Sequence, residues 1–151
     1  MEIVENKSNY LNDFIRLNEA WISKYFQIEE IDRELAANPQ KIIEGGGYIF
    51  SLIENNKVIG VCALFNEGNG IYELARMTIQ KEHRGNGYGG KLLEACINKL
   101  RQIGAREVYL VSNTMLKSAI SLYEKYGFKT TNIGQHPVYA RANITMAKQI
   151  S

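Results

Sequence analysis

Cysteine, histidine and proline are nearly missing from this sequence, with two of each in 151 residues. Cys62 and Cys96 lie far apart in apolar segments and form no C-x-x-C pair. That excludes a zinc knuckle and leaves reduced, buried thiols as the expectation. His83 and His136 have no further ligand at metal spacing, so no metal site is expected. No apolar run approaches the roughly 18 residues that suggest a membrane span. The stretch "MEIVENKSNY" lacks the apolar centre of a signal peptide. A cytoplasmic protein without membrane association is the expectation. Neither sign of charge dominates, with 18 basic against 16 acidic residues and a net charge of +2. That balance excludes a nucleic-acid coat and makes any basic site local.

What is present is the balance of a globular protein, with 45% hydrophobic and 23% charged residues. The length suits one domain, taken as residues 1–151. Residues 9–26 place Leu11, Phe14, Ile15, Leu17, Trp21, Ile22 and Tyr25 at helical spacing, with Ser8 as a candidate N-cap. A second helix near 29–37 ends before Pro39. The period then changes. Residues 48–55 and 58–66 are β-branched and apolar runs about a hairpin at Asn55-Asn56-Lys57, and residues 71–79 make a third. A short strand at 2–6 is a further candidate. Leu92, Leu93, Cys96, Ile97, Leu100 and Ile103 form one helical stripe that stops at Gly104. A strand at 106–112, a helix at 115–126 stopped by Gly127, and closing strands at 128–131 and 138–148 complete the chain. The order predicts a mixed α/β fold. Its sheet is mostly antiparallel, with one parallel β-α-β crossover and flanking helices.

The stretch "HRGNGYGGKLL" at 83–93 opens the helix of that crossover. Gly85, Gly87 and Gly90 fit G-x-G-x-x-G, while Arg84, Gly87 and Gly89 fit R-x-x-G-x-G. The first pattern needs a glycine directly after a strand of a doubly wound sheet, and an acid at a strand's carboxyl end. Here four residues separate strand from glycine, and Glu107 stands at a strand's start. Nicotinamide chemistry is therefore disfavoured, and Gly90 more naturally opens the helix. Successive backbone N–H groups at a helix N-terminus still make an anion site.

"LARMTIQKEHRGNGYGGKLLEACI", followed after the next strand by "LYEKYGF", resembles the GCN5-related N-acetyltransferases. The likeness runs from residue 47 to the end. "WISKYF", "GGYIF", "YELARMTI" and "VYARANITM" resemble small bacterial stand-alone members, whose acceptor is often unassigned. The resemblance implies the acyl-CoA N-acyltransferase fold, with acetyl-CoA as cofactor and CoA as product. The acetyl group would pass directly to a primary amine of a small molecule, amino acid or peptide. It suits a homodimer but does not fix one. The sequence agrees in having no G-x-S-x-G and no cysteine with a basic neighbour, hence no evident covalent nucleophile. A non-catalytic acyl-CoA sensor on the same fold is the alternative.

By resemblance, Met77, Thr78 and Ile79 present backbone groups to the pantetheine arm, their side chains being core. Arg84, Gly85, Asn86, Gly87, Tyr88 and Gly89 match the pyrophosphate loop. Tyr123 matches the tyrosine that protonates the departing thiolate, the alternative being a buried aromatic, as for Tyr126. Leu116 departs from the family, many members having asparagine there to bond pantetheine; Asn113 is the substitute candidate. Glu73 is a candidate base for the acceptor ammonium, or else its anchor or a strand-end charge. Glu82 is expected in solvent. Trp21 and Tyr25 share a helix face and are either core or acceptor wall. Tyr48, Tyr139, Arg141 and Asn143 are further candidates for the acceptor site. Residues 139, 141 and 143 would share one strand face. Arg141 there would bind an acceptor carboxylate, or pair with Glu73 or another acid.

Overall fold

The computed structural model describes residues 1–137 and 140–150. β1 (Glu2–Glu5) leads through a single 3-10 turn at Ser8–Tyr10 into α1 (Leu11–Tyr25), α2 (Glu30–Ala37) and α3 (Gln40–Glu44). The meander β2 (Tyr48–Glu54), β3 (Lys57–Gly68) and β4 (Ile71–Ile79) follows. Then come α4 (Tyr88–Gln102), β5 (Glu107–Ser112), α5 (Lys117–Lys125), β6 (Lys129–Ile133) and β7 (Ile144–Gln149). The seven strands form one sheet in the order β1-β2-β3-β4-β5-β7-β6. Among the described residues only β4 and β5 pair in parallel, across the α4 crossover. Among the described residues no helix is long and apolar enough to cross a membrane, and no cluster of possible metal ligands occurs.

β2 and β3 read as continuous apolar runs because both of their faces are covered. Alternate side chains point to opposite faces. Phe50, Leu52, Cys62 and Leu64 meet Leu92, Leu93, Cys96 and Leu100 of α4. Ile49, Ile53, Val61 and Ala63 meet Leu11, Phe14 and Leu17 of α1. Cys62 and Cys96 are free, buried thiols 3.6 Å apart.

Four local expectations are corrected. Ser8 does not cap α1; it opens the preceding 3-10 turn, and the cap position, Tyr10, makes no side-chain cap bond. α3 was not foreseen, Pro39 standing at its N-cap rather than only ending α2. α5 begins at Lys117, not 115, because Leu116 takes its N-cap in a non-helical conformation. The last strand begins at Ile144, not 138. Asn143 is instead held in the loop, its N–H donating to Ser112 at 2.9 Å and its Oδ1 accepting from Thr114 at 2.9 Å. Arg141 and Asn143 therefore do not share a strand face.

Candidate active site

β4 and β5 share three pairs, Ile71–Glu107, Tyr72–Val108 and Glu73–Tyr109, and then part. Beyond Glu73 the β5-facing backbone of β4 has no strand partner among the described residues. On the other side Val61 pairs with Thr78 and Ala63 with Ala75, so Arg76 and Met77 together oppose Cys62. This is a β-bulge, which re-aims side chains and sharpens the twist. Its cause is visible in Arg76, which sits at φ +61°, a conformation a non-glycine residue adopts only when its surroundings hold it there. A cleft of about 580 Å³ occupies the opening. That lies within the ordinary range for small-molecule sites.

The glycine loop forms one end of the cleft. Gly85 and Gly87 have φ of +83° and +78°, and a Cβ on either would meet nothing within 4 Å. Backbone conformation, not crowding, therefore favours glycine at both positions. Gly87 is the N-cap of α4, and the free N–H groups of that helix begin there. Arg84 Nε donates to the Ile79 carbonyl at 2.9 Å and Asn86 Nδ2 to the His83 carbonyl at 3.1 Å, which fixes the loop. Tyr88 lines the cleft but turns its hydroxyl to Glu54, 2.8 Å away. Gly89 and Gly90 have a different task. A Cβ at Gly89 would stand 3.3 Å from Leu122 and one at Gly90 2.9 Å from the Tyr126 hydroxyl, so both let α5 approach α4. Gly90→Val is expected to destabilise the fold by about 1–3 kcal/mol through overpacking, read as a lower Tm.

Glu73 and Tyr123 both line the cleft. Glu73 is only 7% exposed, and burial, reinforced by Glu67 and opposed by Arg76, raises its pKa to about 7. Tyr123 is half-buried on α5, its ring 5.9 Å from Phe128, and burial pushes the phenol well above its ordinary value, with Cys62 and Cys96 adding to the shift. It is therefore protonated throughout the physiological range, and a weaker acid than a free phenol. Asn113 also lines the cleft, but its amide clips the chain. Its Nδ2 donates to the Arg141 carbonyl at 2.9 Å and its Oδ1 accepts from Met115 N–H at 3.0 Å. Both ends are engaged, and Leu116 beside it supplies no polar group.

Trp21 and Tyr25 line the cleft from α1, with rings 5.5 Å apart and Phe26 5.7 Å from Trp21. Lys24, whose Nζ lies 5.2 Å from the Tyr25 ring, lowers the Tyr25 phenol, with a smaller contribution from the Arg84 charge. Tyr48 is not brought to the cleft. It packs against Phe50 on the α4 face, where Lys99 Nζ lies 5.3 Å from its ring. Tyr139 lies outside the described residues. Arg141 lines the cleft, but not with a free fork. Its Nη1 and Nη2 each donate to one Asp32 oxygen at 2.8 Å, and Nη1 also donates to Glu29 at 3.0 Å. Of the two roles left open for Arg141, the pairing with an acid is observed, and the acid is not Glu73.

Asp32 was not foreseen. It is 1% exposed, and also accepts from Arg76 Nη1 at 2.6 Å and from the Glu29 N–H at 2.8 Å. Burial alone would raise its pKa. Arg141, the Glu29 N–H and Arg76 together hold it down, to about 2. The cluster joins α2, the β4 bulge and the loop before β7. Glu29-x-x-Asp32 is a recognisable capping pattern, but nothing in the sequence shows which arginines such a cap meets.

The acetyltransferase (GNAT) family matches residues 13–128, and the chain belongs to that family. Among curated relatives it is 26% identical over 117 residues to N-acetyltransferase family 8 member 2 of Rattus norvegicus, covering 74% of this chain and 52% of that protein. It is 34% identical over 70 residues to the uncharacterized N-acetyltransferase YjgM of Escherichia coli, covering 46% of this chain and 42% of that one. The chain thus spans about half the length of these relatives. A GNAT-family acetyltransferase from Staphylococcus aureus superposes with a TM-score of 0.88 at 21% identity, over 99% of both chains. The phosphinothricin acetyltransferase of Sinorhizobium meliloti, solved in complex with AcCoA, gives 0.82 at 18% identity, over 99% of this chain and 88% of that one. These structures share the mixed, mostly antiparallel fold.

Proposed function

We propose that residues 1–151 act as one acetyltransferase domain. It moves an acetyl group from acetyl-CoA directly to a primary amine of a small molecule, amino acid or peptide. The observation that carries this reading is the meeting of Glu73, Tyr123, the unpartnered β4 edge and the glycine loop in one cleft. AcCoA in the S. meliloti neighbour supports the choice of donor. The residues fit it. The loop from Arg84 to Gly89 offers outward N–H groups and open space to a pyrophosphate. The free edge at Met77–Ile79 accepts a pantetheine arm as an added strand, although the Ile79 carbonyl is already used by Arg84.

Acetyl-CoA supplies the acetyl group as an activated thioester. Glu73, deprotonated above about pH 7, takes the proton from the acceptor ammonium. The freed amine forms the C–N bond as the C–S bond breaks. A backbone N–H of the parted β4 edge bonds the acetyl oxygen as charge gathers there. Tyr123 gives its proton to the sulfur, and the surplus N–H proton of the new amide passes through solvent to restore the phenol. The burial that raises its phenol raises the basicity of a thiolate beside it too, so the transfer stays feasible.

Calorimetric titration with acetyl-CoA, followed by thiol release across an amine panel, tests the reading. Micromolar binding and turnover are expected. Binding without turnover of any amine would instead favour a sensor. Tyr123→Phe is expected to lower kcat by about 10²-fold while leaving acetyl-CoA affinity within about twofold. An unchanged kcat removes Tyr123 from the chemistry.

A further inference from the structure

Two arginines, Arg76 and Arg141, line the cleft together with the buried Glu73. An arginine fork on such a wall ordinarily binds a substrate carboxylate through two parallel N–H···O bonds. Here an oxygen pair already fills that fork. Arg141 Nη1 and Nη2 meet Asp32 Oδ2 and Oδ1 at 2.8 Å each, the geometry an amino acid's carboxylate would take. Arg76 adds a contact of 2.6 Å to the same Asp32 Oδ1, and Glu29 one of 3.0 Å to Arg141. Asp32 itself is absent from the cleft wall and stands behind the guanidiniums.

The charges of this cluster cancel, two cations against Asp32 and Glu29. What remains uncompensated on the lining is Glu73, in a cleft that Trp21, Phe26, Ile22 and Met77 also line. That surface attracts an ammonium and accommodates an apolar body. An added carboxylate would lose its hydration, find the Arg141 fork occupied and one Arg76 nitrogen already on Asp32, and stand near Asp32 and Glu29 of like charge.

We propose that Asp32 is an internal substitute for an acceptor carboxylate, and that by filling the Arg141 fork it restricts the enzyme to amines with no carboxylate beside the amino group. This deepens the acetyl-transfer reading and rests on it. Asp32 touches no substrate; it sets specificity through the arginines it holds.

The test is thiol release from acetyl-CoA with matched pairs that differ by one carboxylate: phenethylamine and phenylalanine, tryptamine and tryptophan, isobutylamine and valine. For the wild-type chain, kcat/KM is expected to favour the carboxylate-free member by at least about tenfold in every pair that turns over. Equal or greater values for the amino acids overturn the proposal and leave acetyl transfer standing. No turnover of any member overturns both. Asp32→Asn is expected to narrow the preference at least about fivefold, chiefly through a lower KM for the amino acids. An unchanged ratio, in a variant that still binds acetyl-CoA, overturns the role of Asp32. Should that variant not fold, the wild-type ratios and Arg141→Gln still decide. If Arg141 held the acceptor carboxylate, that change would raise KM for the amino acids alone, and that result too overturns the proposal.

Discussion

Glu73→Gln is expected to lower kcat/KM by about 10³-fold at pH 8 and to erase one limb of the pH profile. In the wild-type chain Glu73 titrates at about 7, raised by burial and by Glu67, with Arg76 pulling the other way. A base works when deprotonated. Activity therefore rises as pH climbs through about 7 and levels off above it. An acceptor whose own ammonium titrates well above that value keeps the two limbs apart. The stability effect has the opposite sign. The carboxyl binds its proton more tightly folded, at about 7, than unfolded, at 4.5, so the fold loses stability as pH rises through that window. The ionised, buried carboxylate bears this cost above it. Glutamine removes the charge, so the variant gains on the order of 2–3 kcal/mol at pH 8 while losing rate. A higher Tm with a lower kcat/KM marks a group placed for chemistry. A variant that keeps the wild-type rate and the limb near pH 7 removes Glu73 as the base.

The strands and the crossover were legible because their signals are local. β-branched apolar runs, Asn-Asn at a turn, and a helical stripe ended by Gly104 each act within a few residues. The glycine loop was legible for the same reason, since positive φ at Gly85 and Gly87 favours glycine in the sequence itself. Arg76 shows the limit. It holds φ +61° without being glycine, because the bulge and the contact with Asp32 over-determine it. No residue type announces such a position. Asp32 and Arg141 lie 109 positions apart, and their pairing depends on how α2 and the loop before β7 cross the end of the sheet. The stretch 138–148 reads as a closing strand, which would put Arg141 on a strand face. The Asn143 N–H bond to Ser112 and its side-chain bond from the Thr114 N–H hold that residue in the loop, and the strand starts at Ile144. Tyr48 failed differently. Its place at the start of β2 was right, but the pleat sent its ring to the α4 face.

Gly87→Glu is expected to weaken acetyl-CoA binding by about 10³-fold or more, measured by calorimetric titration at fixed salt. Two effects add. At φ +78° a glutamate is strained by about 1 kcal/mol, which displaces the first N–H groups of α4 from the positions that face the ligand. Its carboxylate then stands where the pyrophosphate belongs, and like charges in such a site repel by several kcal/mol. Together these approach 4 kcal/mol, or about three decades in Kd. Gly87→Asn separates the two contributions. Asparagine tolerates the left-handed conformation and carries no charge, and open space surrounds the position. Its affinity is therefore expected within about tenfold of wild type. Wild-type affinity in Gly87→Glu would remove the loop from pyrophosphate recognition. An equal loss in both variants would assign the defect to backbone geometry and leave charge with no part in it. The expected separation between the variants ties the outward N–H groups at the start of α4 to an anion.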